Sequence, residues 1–286
     1  MNLTSPKVLK SLLERHNFSF TKSLGQNFLI DQNIIDKILR EGNVQGENIL
    51  EIGSGIGTLT ASMAKLAKKV VVVEIDEKLK PILSETLFGF DNVEVIFSDI
   101  LKTDLDKISK ESFNGESFKV VANLPYYITS PILEYLLKSK SNISEIIVMM
   151  QKEVATRIVA DVGTKEYGSI SVFLKYFGDS EILMNVPKTV FMPKPKVDSA
   201  VVKLKIRDHI DVEEVEKLEK ILRAGFGKRR KTILNSLSSG LNREKTEVLE
   251  ILEKLGINEN SRAENLSLKE FLELTEMLLR KGESDD

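Results

Sequence analysis

Five short runs dense in Val and Ile constrain this chain more than any other feature: Asn48–Ile52, Val70–Ile75, Val93–Phe97, Phe118–Ala122 and Ile146–Met150. Their apolar residues are nearly continuous. A strand covered on both faces reads that way, whereas a strand with one wet face alternates apolar and polar positions. Amphipathic stretches lie between them, including Leu59–Ala67, Glu77–Phe88 and Ile132–Lys138. Strand, helix, strand at this spacing predicts an α/β domain with a mostly parallel sheet and helices on both faces.

The pattern changes near residue 186. Pro187, Pro193 and Pro195 punctuate a stretch leading into one more expected strand, Ser199–Ile206. Beyond it Val212–Phe226, Lys231–Leu237, Arg243–Leu255 and Leu268–Lys281 show helical spacing, with Gly240 and Gly256 expected as helix-ending glycines. The expected domains are therefore a sheet domain, 1–206, and a small all-helical domain, 207–286, whose last five residues form a solvated tail. A chain of 286 residues is long enough for both.

Composition narrows the chemistry. The longest purely apolar stretches, Val70–Val73 and Ile146–Met150, fall far short of the ~20 residues that cross a bilayer. Residues 1–10 lack the apolar core of a signal peptide, so a cytoplasmic chain without membrane contact is expected. There is no cysteine, which removes disulfides, thiol nucleophiles and thiolate metal sites. His16 and His209 are too few for a zinc site or a His-based triad, so no metal is expected. Carboxylates, amides, aromatics or a bound cofactor must do the work. The net charge of −2 means that any nucleic-acid partner must be met by local clustering of positive charge.

Such a cofactor is signalled after the first strand. Glu51-Ile52-Gly53-Ser54-Gly55-Ile56-Gly57 follows a predicted strand and opens a predicted helix, and its glycines permit a tight turn and a close ligand approach. The dinucleotide fingerprint needs a further glycine at position 58, where Thr58 stands. Glu74, 21 residues after Gly53, ends the second strand, where a carboxylate can accept both hydroxyls of a ribose. Asp99 ends the third, within reach of an adenine amino group. Three such features at successive strand ends favour an adenosine-containing cofactor that needs no phosphate contacts. That favours S-adenosylmethionine over NAD.

The fourth strand ends in Asn123-Leu124-Pro125-Tyr126. The exocyclic amine of adenine is a poor nucleophile because its lone pair is delocalised into the ring. A side-chain carbonyl and a neighbouring main-chain carbonyl can each accept one amino hydrogen and draw the nitrogen toward a pyramidal state. Proline fixes the turn, and the aromatic ring can stack on an extruded base. Because a sulfonium already activates the methyl group, positioning and electrostatics are the main tasks.

With these segments in hand, the whole chain resembles the ribosomal RNA adenine N6,N6-dimethyltransferases, and within them the bacterial small-subunit branch. The resemblance is carried by Lys22-Ser23-Leu24-Gly25-Gln26-Asn27-Phe28-Leu29, the glycine loop, Glu74, Asp99 and the Asn-Leu-Pro-Tyr motif. It continues through 150–157, 167–172, Phe191-x-Pro193-x-Pro195-Lys196-Val197-Asp198-Ser199, Phe226-x-x-Arg229-Arg230-Lys231-Thr232 and Arg262-Ala263-Glu264-Asn265. It implies a Rossmann-like class I methyltransferase domain. Gln26, Asn27 and Leu29 would close over the methionine end of S-adenosylmethionine, with Gly53 and Gly55 beneath it. Glu74 and Ile75 would hold the ribose, Asp99 and Ile100 the adenine, and Asn123 would border both cofactor and target. Tyr126 and Phe191 would stack on the flipped base. Tyr127 departs from the family pattern, which has Asn there.

Arg223–Lys231 holds five basic residues and no acid, within a region after residue 206 that has 15 basic and 18 acidic residues. A local positive patch on an acidic domain suits docking on phosphate at one place. The expected rRNA contacts are Arg157, Arg229, Arg230, Lys231 and Arg262. The implied partner is 16S rRNA within the small ribosomal subunit, with two adjacent adenines dimethylated by a monomeric enzyme. Two other readings stand beside it: a large-subunit (23S) rRNA dimethyltransferase conferring antibiotic resistance, and a subunit assembly factor with secondary methylation.

Overall fold

The first two strands set the frame, and each is followed by a turn back across the sheet. In the computed structural model, which describes residues 1–207, 210–228 and 230–279, β1 spans Asn48–Ile52 and β2 Lys69–Glu74. They continue with β3 (Val93–Phe97), β4 (Phe118–Asn123), β5 (Ile143–Gln151), β6 (Gly178–Val186) and β7 (Ser199–Ile206). The sheet order is β3-β2-β1-β4-β5-β7-β6. β3, β2, β1, β4 and β5 run parallel, and β7 lies antiparallel to β5.

Helices α1 (Pro6–Arg15) and α2 (Gln32–Glu41) precede the sheet. α3 (Thr58–Ala64), α4 (Lys80–Thr86), α5 (Leu105–Ser112) and α6 (Thr129–Lys138) form the crossovers, and α7 (Lys152–Ile158) and α8 (Ser169–Phe177) follow β5. Alternation along the strands sends Ile49, Val70, Val72, Val121 and Ile147 to one face. There they pack with Ile35, Ile38 and Leu39 of α2 and with Leu59 and Met63 of α3. Val71, Val73, Ala122 and Val148 turn to the other face and are also buried. Both faces are dry, which is why these strands read as continuous apolar runs. A second cluster joins Leu9 and Leu12 of α1 to Ile82 and Leu83 of α4 around Phe28.

The chain divides into two compact units, 1–155 with 181–206 and 156–180 with 207–286. A single cut after residue 206 differs from this division by assigning 156–180, and with it α8, to the sheet. In the second unit the Tyr167 hydroxyl donates to the Leu266 carbonyl (3.0 Å), and Phe226 stacks on Phe271 at 5.6 Å. Burial pushes the Tyr167 phenol up to about 12. These side chains tie residues 156–180 to α9 (Val212–Phe226) and to the segment leading into the last helix.

The remaining helices are α10 (Ile233–Leu241), α11 (Lys245–Lys254) and α12 (Leu268–Leu279). Gly256 does follow a helix, with φ +68°. Gly240 does not end one: α10 runs through it and stops at Asn242, which takes the left-handed conformation with φ 54°. The reason is packing. A Cβ at Gly240 would lie 2.6 Å from both Cα and Cβ of Ala224, so the glycine admits a close approach of α9 to α10. Residues 282–286, His209 and Arg229 lie outside the described residues. β6 is absent from the sequence expectations because its exposed and buried residues are mixed, Glu181 and Asn185 being exposed, as suits the edge of a sheet.

Candidate active site

The carboxyl ends of β1, β2, β3 and β4 open into one cleft, a space of about 990 Å3 with the open solvent over it included. It is lined by the glycine loop, the segment 24–29, Glu74, Asp99 and the residues from Asn123 to Ile128. In an open parallel sheet the ligand site lies at this end of the strands. Gly53, Gly55 and Gly57 all have positive φ (+73°, +56° and +84°). Gly53 faces open space, where a Cβ would meet nothing within 4 Å; at Gly55 a Cβ would lie 2.7 Å from the Phe28 ring. The loop is thus wedged against Phe28 and bare toward the cleft.

Glu74 is 4% exposed and is gripped by backbone. Gly55 N donates to its Oε2 (3.1 Å) and Asp76 N to its Oε1 (2.9 Å). Burial pushes its carboxyl above the usual range, and those N–H groups pull it back. Ser54 Oγ makes a longer contact with Oε2 (3.5 Å), so of a carboxylate's roughly four acceptor sites one remains open to a ribose hydroxyl. Beside it Ile75 is 47% exposed, a wet apolar side chain at the cleft wall. Asp99 Oδ1 accepts from Leu101 N (3.0 Å), and Ile100 is buried behind it.

The segment before β1 supplies the far wall. Gln26 is fixed at both ends: its Oε1 accepts from Thr21 N (2.9 Å) and its Nε2 donates to Asp76 Oδ2 (2.7 Å). Asn27 donates from Nδ2 to the Gly25 carbonyl (2.8 Å). Asn123 donates from Nδ2 to the Asn27 carbonyl (3.0 Å), which commits its nitrogen and leaves Oδ1 as the acceptor. Leu124 N donates to the Met149 carbonyl (3.0 Å), and Pro125 follows at φ −59°. Tyr126 is half-buried with its hydroxyl 2.6 Å from Ser199 Oγ, so the ring is anchored at its far end. The cleft fits S-adenosylmethionine: a carboxylate with an open acceptor site, a loop with no Cβ in the way, and exposed apolar surface beside the acid.

Sequence reasoning gave no role to two residues that the structure brings into the cleft. Glu51 is 1% exposed, its Oε2 accepts from Thr60 Oγ1 (2.5 Å), and desolvation pushes its carboxyl up to about 8. Tyr127 lines the mouth. The position of Glu51, two before the first loop glycine, was the available signal.

Phe191 requires a correction. Its ring is 3% exposed and packs in the core cluster with Leu29, its antiparallel partner, and Val201, so it offers no face to a flipped base in this structure. An aromatic residue flanked by Pro-rich sequence looks like a loop side chain, but two-residue pairing with Phe28 and Leu29 draws it inward. In the second unit Arg157, Arg230, Lys231 and Arg262 are exposed. The Ile233 N to Ser261 O hydrogen bond (2.6 Å) brings the basic turn alongside Arg262, and the Arg157 carbonyl accepts from Ser171 Oγ (2.5 Å).

Sheet order, the antiparallel pairing of β7 with β5 and this cleft define a Rossmann-like, S-adenosylmethionine-dependent methyltransferase. The family model for ribosomal RNA adenine dimethylases matches residues 17–279, and the chain belongs to that family. A ribosomal RNA small subunit methyltransferase A from Clostridioides difficile (strain 630) is 47% identical over 285 residues, covering 99% of each chain. The crystal structure of a dimethyladenosine transferase from Plasmodium falciparum is 29% identical with TM-score 0.71, covering 86% of this chain and 95% of that one. The 23S rRNA methyltransferase ErmE is 28% identical with TM-score 0.68, covering 89% and 100%. Among the described residues no helix is long and apolar enough to cross a membrane.

Proposed function

We propose that the chain converts two adjacent adenines in the hairpin loop near the 3′ end of 16S rRNA to N6,N6-dimethyladenine, acting on the small ribosomal subunit as a cytoplasmic monomer. The observation that carries the reading is Asn123: its amide nitrogen is held by the Asn27 carbonyl, so Oδ1 is the acceptor offered at the strand end. When bound, S-adenosylmethionine supplies a methyl group already activated by its sulfonium. The protein's task is to hold the other reactant. Asn123 Oδ1 and the Leu124 carbonyl accept the two amino hydrogens and localise the nitrogen lone pair. Tyr126, pinned by Ser199, stacks on the extruded adenine.

On the cofactor side Glu74 and Ile75 take the ribose, Asp99 and Ile100 the adenine. Gly53, Gly55, Gln26, Asn27 and Leu29 flank the methionine end. Arg157, Arg230, Lys231 and Arg262, with Arg229 in the same sequence run, serve as rRNA contacts. The 47% identity to a small-subunit enzyme, against 28% to a 23S enzyme, favours the small-subunit substrate. The intact reactive motif argues against a factor that only binds.

Mass spectrometry of rRNA from cells lacking the gene tests this. Loss of both dimethyladenines from 16S rRNA, restored by the gene and not by its Asn123→Ala variant, is the expected result. Unchanged 16S rRNA, or a loss confined to 23S rRNA, overturns it.

A further inference from the structure

Tyr127 stands where the family pattern has another residue, and its side chain is 54% exposed although it lines the cleft. Its ring reaches over the segment that walls the cleft: a Cβ built on Gly25 would lie 3.4 Å from Tyr127 Cδ1 and 3.6 Å from Cε1. Gly25 has φ +60°, so the backbone there is left-handed and bears no side chain to hold the ring away. On the other side the phenol feels the two carboxylates that end β3 and β2. Burial raises the Tyr127 pKa first, and Asp99 and then Glu74 raise it further through their charges. The aromatic ring thus sits against Gly25 in the same cleft that Asp99 and Glu74 line.

We propose that Tyr127 is a cofactor-binding residue, a roof whose ring lies on the adenosine half of S-adenosylmethionine between Gly25 and the two carboxylates. The inference rests on the cofactor assignment above. A large aromatic side chain left half wet at the mouth of a preformed cleft gains contact area when an adenosine slides beneath it. Its neighbour Tyr126 faces Ser199 instead, so the two adjacent tyrosines divide the work: Tyr126 for the target base, Tyr127 for the cofactor.

Calorimetric titration with S-adenosylmethionine and with S-adenosylhomocysteine, on wild type and on Tyr127→Phe, Tyr127→Asn and Tyr127→Ala, provides the test. Removal of the ring should raise both dissociation constants about five- to tenfold. The phenylalanine variant should stay within about twofold of wild type, because the face and not the hydroxyl makes the contact. The KM for small subunits purified from cells lacking the gene should not move. The chain has no tryptophan, so Tyr127→Trp installs a single reporter whose emission should change and saturate at the calorimetric dissociation constant.

Unchanged cofactor affinity in the alanine and asparagine variants overturns the proposal, with a raised KM for subunits reassigning the ring to RNA. Failure of the cofactor assignment itself looks different. Wild type would then bind neither compound, or Glu74→Ala would bind both as wild type does.

Discussion

At Asn123 the two ends of one amide do different work. The nitrogen is tied to the Asn27 carbonyl at 3.0 Å, and the oxygen is left to the substrate. Alanine there should leave cofactor and RNA affinity largely intact and lower kcat and kcat/KM together by at least about a hundredfold, the pattern of an interaction made in the transition state. Steady-state kinetics decide it: a raised KM at normal kcat would make Asn123 a binding residue. Glu51 carries a different consequence. Between its ordinary value of 4.5 and about 8 the folded protein holds a proton that the unfolded chain has released. Stability should therefore be greatest at the acid end of that window and fall as pH rises through it. The lowered carboxylates Glu85, Glu94, Glu116 and Glu145 titrate below it, and Glu74, raised by its own burial, adds a decline common to both proteins being compared. Glu51→Gln keeps the shape and removes the titration, so urea unfolding at pH 5.5 and 8.5 should show a decline smaller than wild type by on the order of 3 kcal/mol. Parallel declines in the two proteins would refute the assignment.

Among the elements, α9 and α10 are the pair most tightly specified by a single atom. Elsewhere in a helix interior, alanine in place of glycine gains about 1 kcal/mol. At Gly240 the added methyl would meet Ala224 Cα and Cβ at 2.6 Å, and the helices must part. Gly240→Ala should therefore destabilise the protein, by about 1–3 kcal/mol. Thermal unfolding reads the sign directly, and a rise in Tm would show that the helices are free to shift. β4 shows a second kind of specification. Lys119 sits buried in the strand with its ammonium 3.1 Å from Glu145 and 3.4 Å from Glu47, and it donates to the Gly42 and Asn43 carbonyls. One buried charge is satisfied by partners from two other segments, β5 and the loop between α2 and β1, which no local pattern announces.

For the whole molecule the balance of charge matters more than its sum. A net of −2 would repel a polyanion weakly, yet the second unit exposes Arg230, Lys231 and Arg262 on adjoining segments. Changing all three to alanine should weaken binding to isolated small subunits. It should also flatten the logarithmic salt dependence by about 0.7–0.9 for each phosphate no longer neutralised. Cofactor affinity should hold, since none of the three lines the cleft. Filter binding over a salt series, beside a cofactor titration, measures both. A variant with the wild-type slope would mark the patch as a merely solvated surface.

Local chemistry in the sequence determined the strands with dry faces, the glycine loop and the acids at the strand ends, because burial on both faces and positive φ leave residue-level signatures. β1, β3 and β7 begin and end where their apolar runs do. Three things were decided only by tertiary structure. Phe191 went into the core because Leu29, more than 160 residues earlier, pairs with it. Gly240 became a crossing point because Ala224 happened to face it. Residues 156–180 joined the helical unit because Tyr167 meets Leu266 and Phe226 there. In each case the deciding partner lies on another element, and the spacing of neighbouring residues carries no record of what will be packed against them.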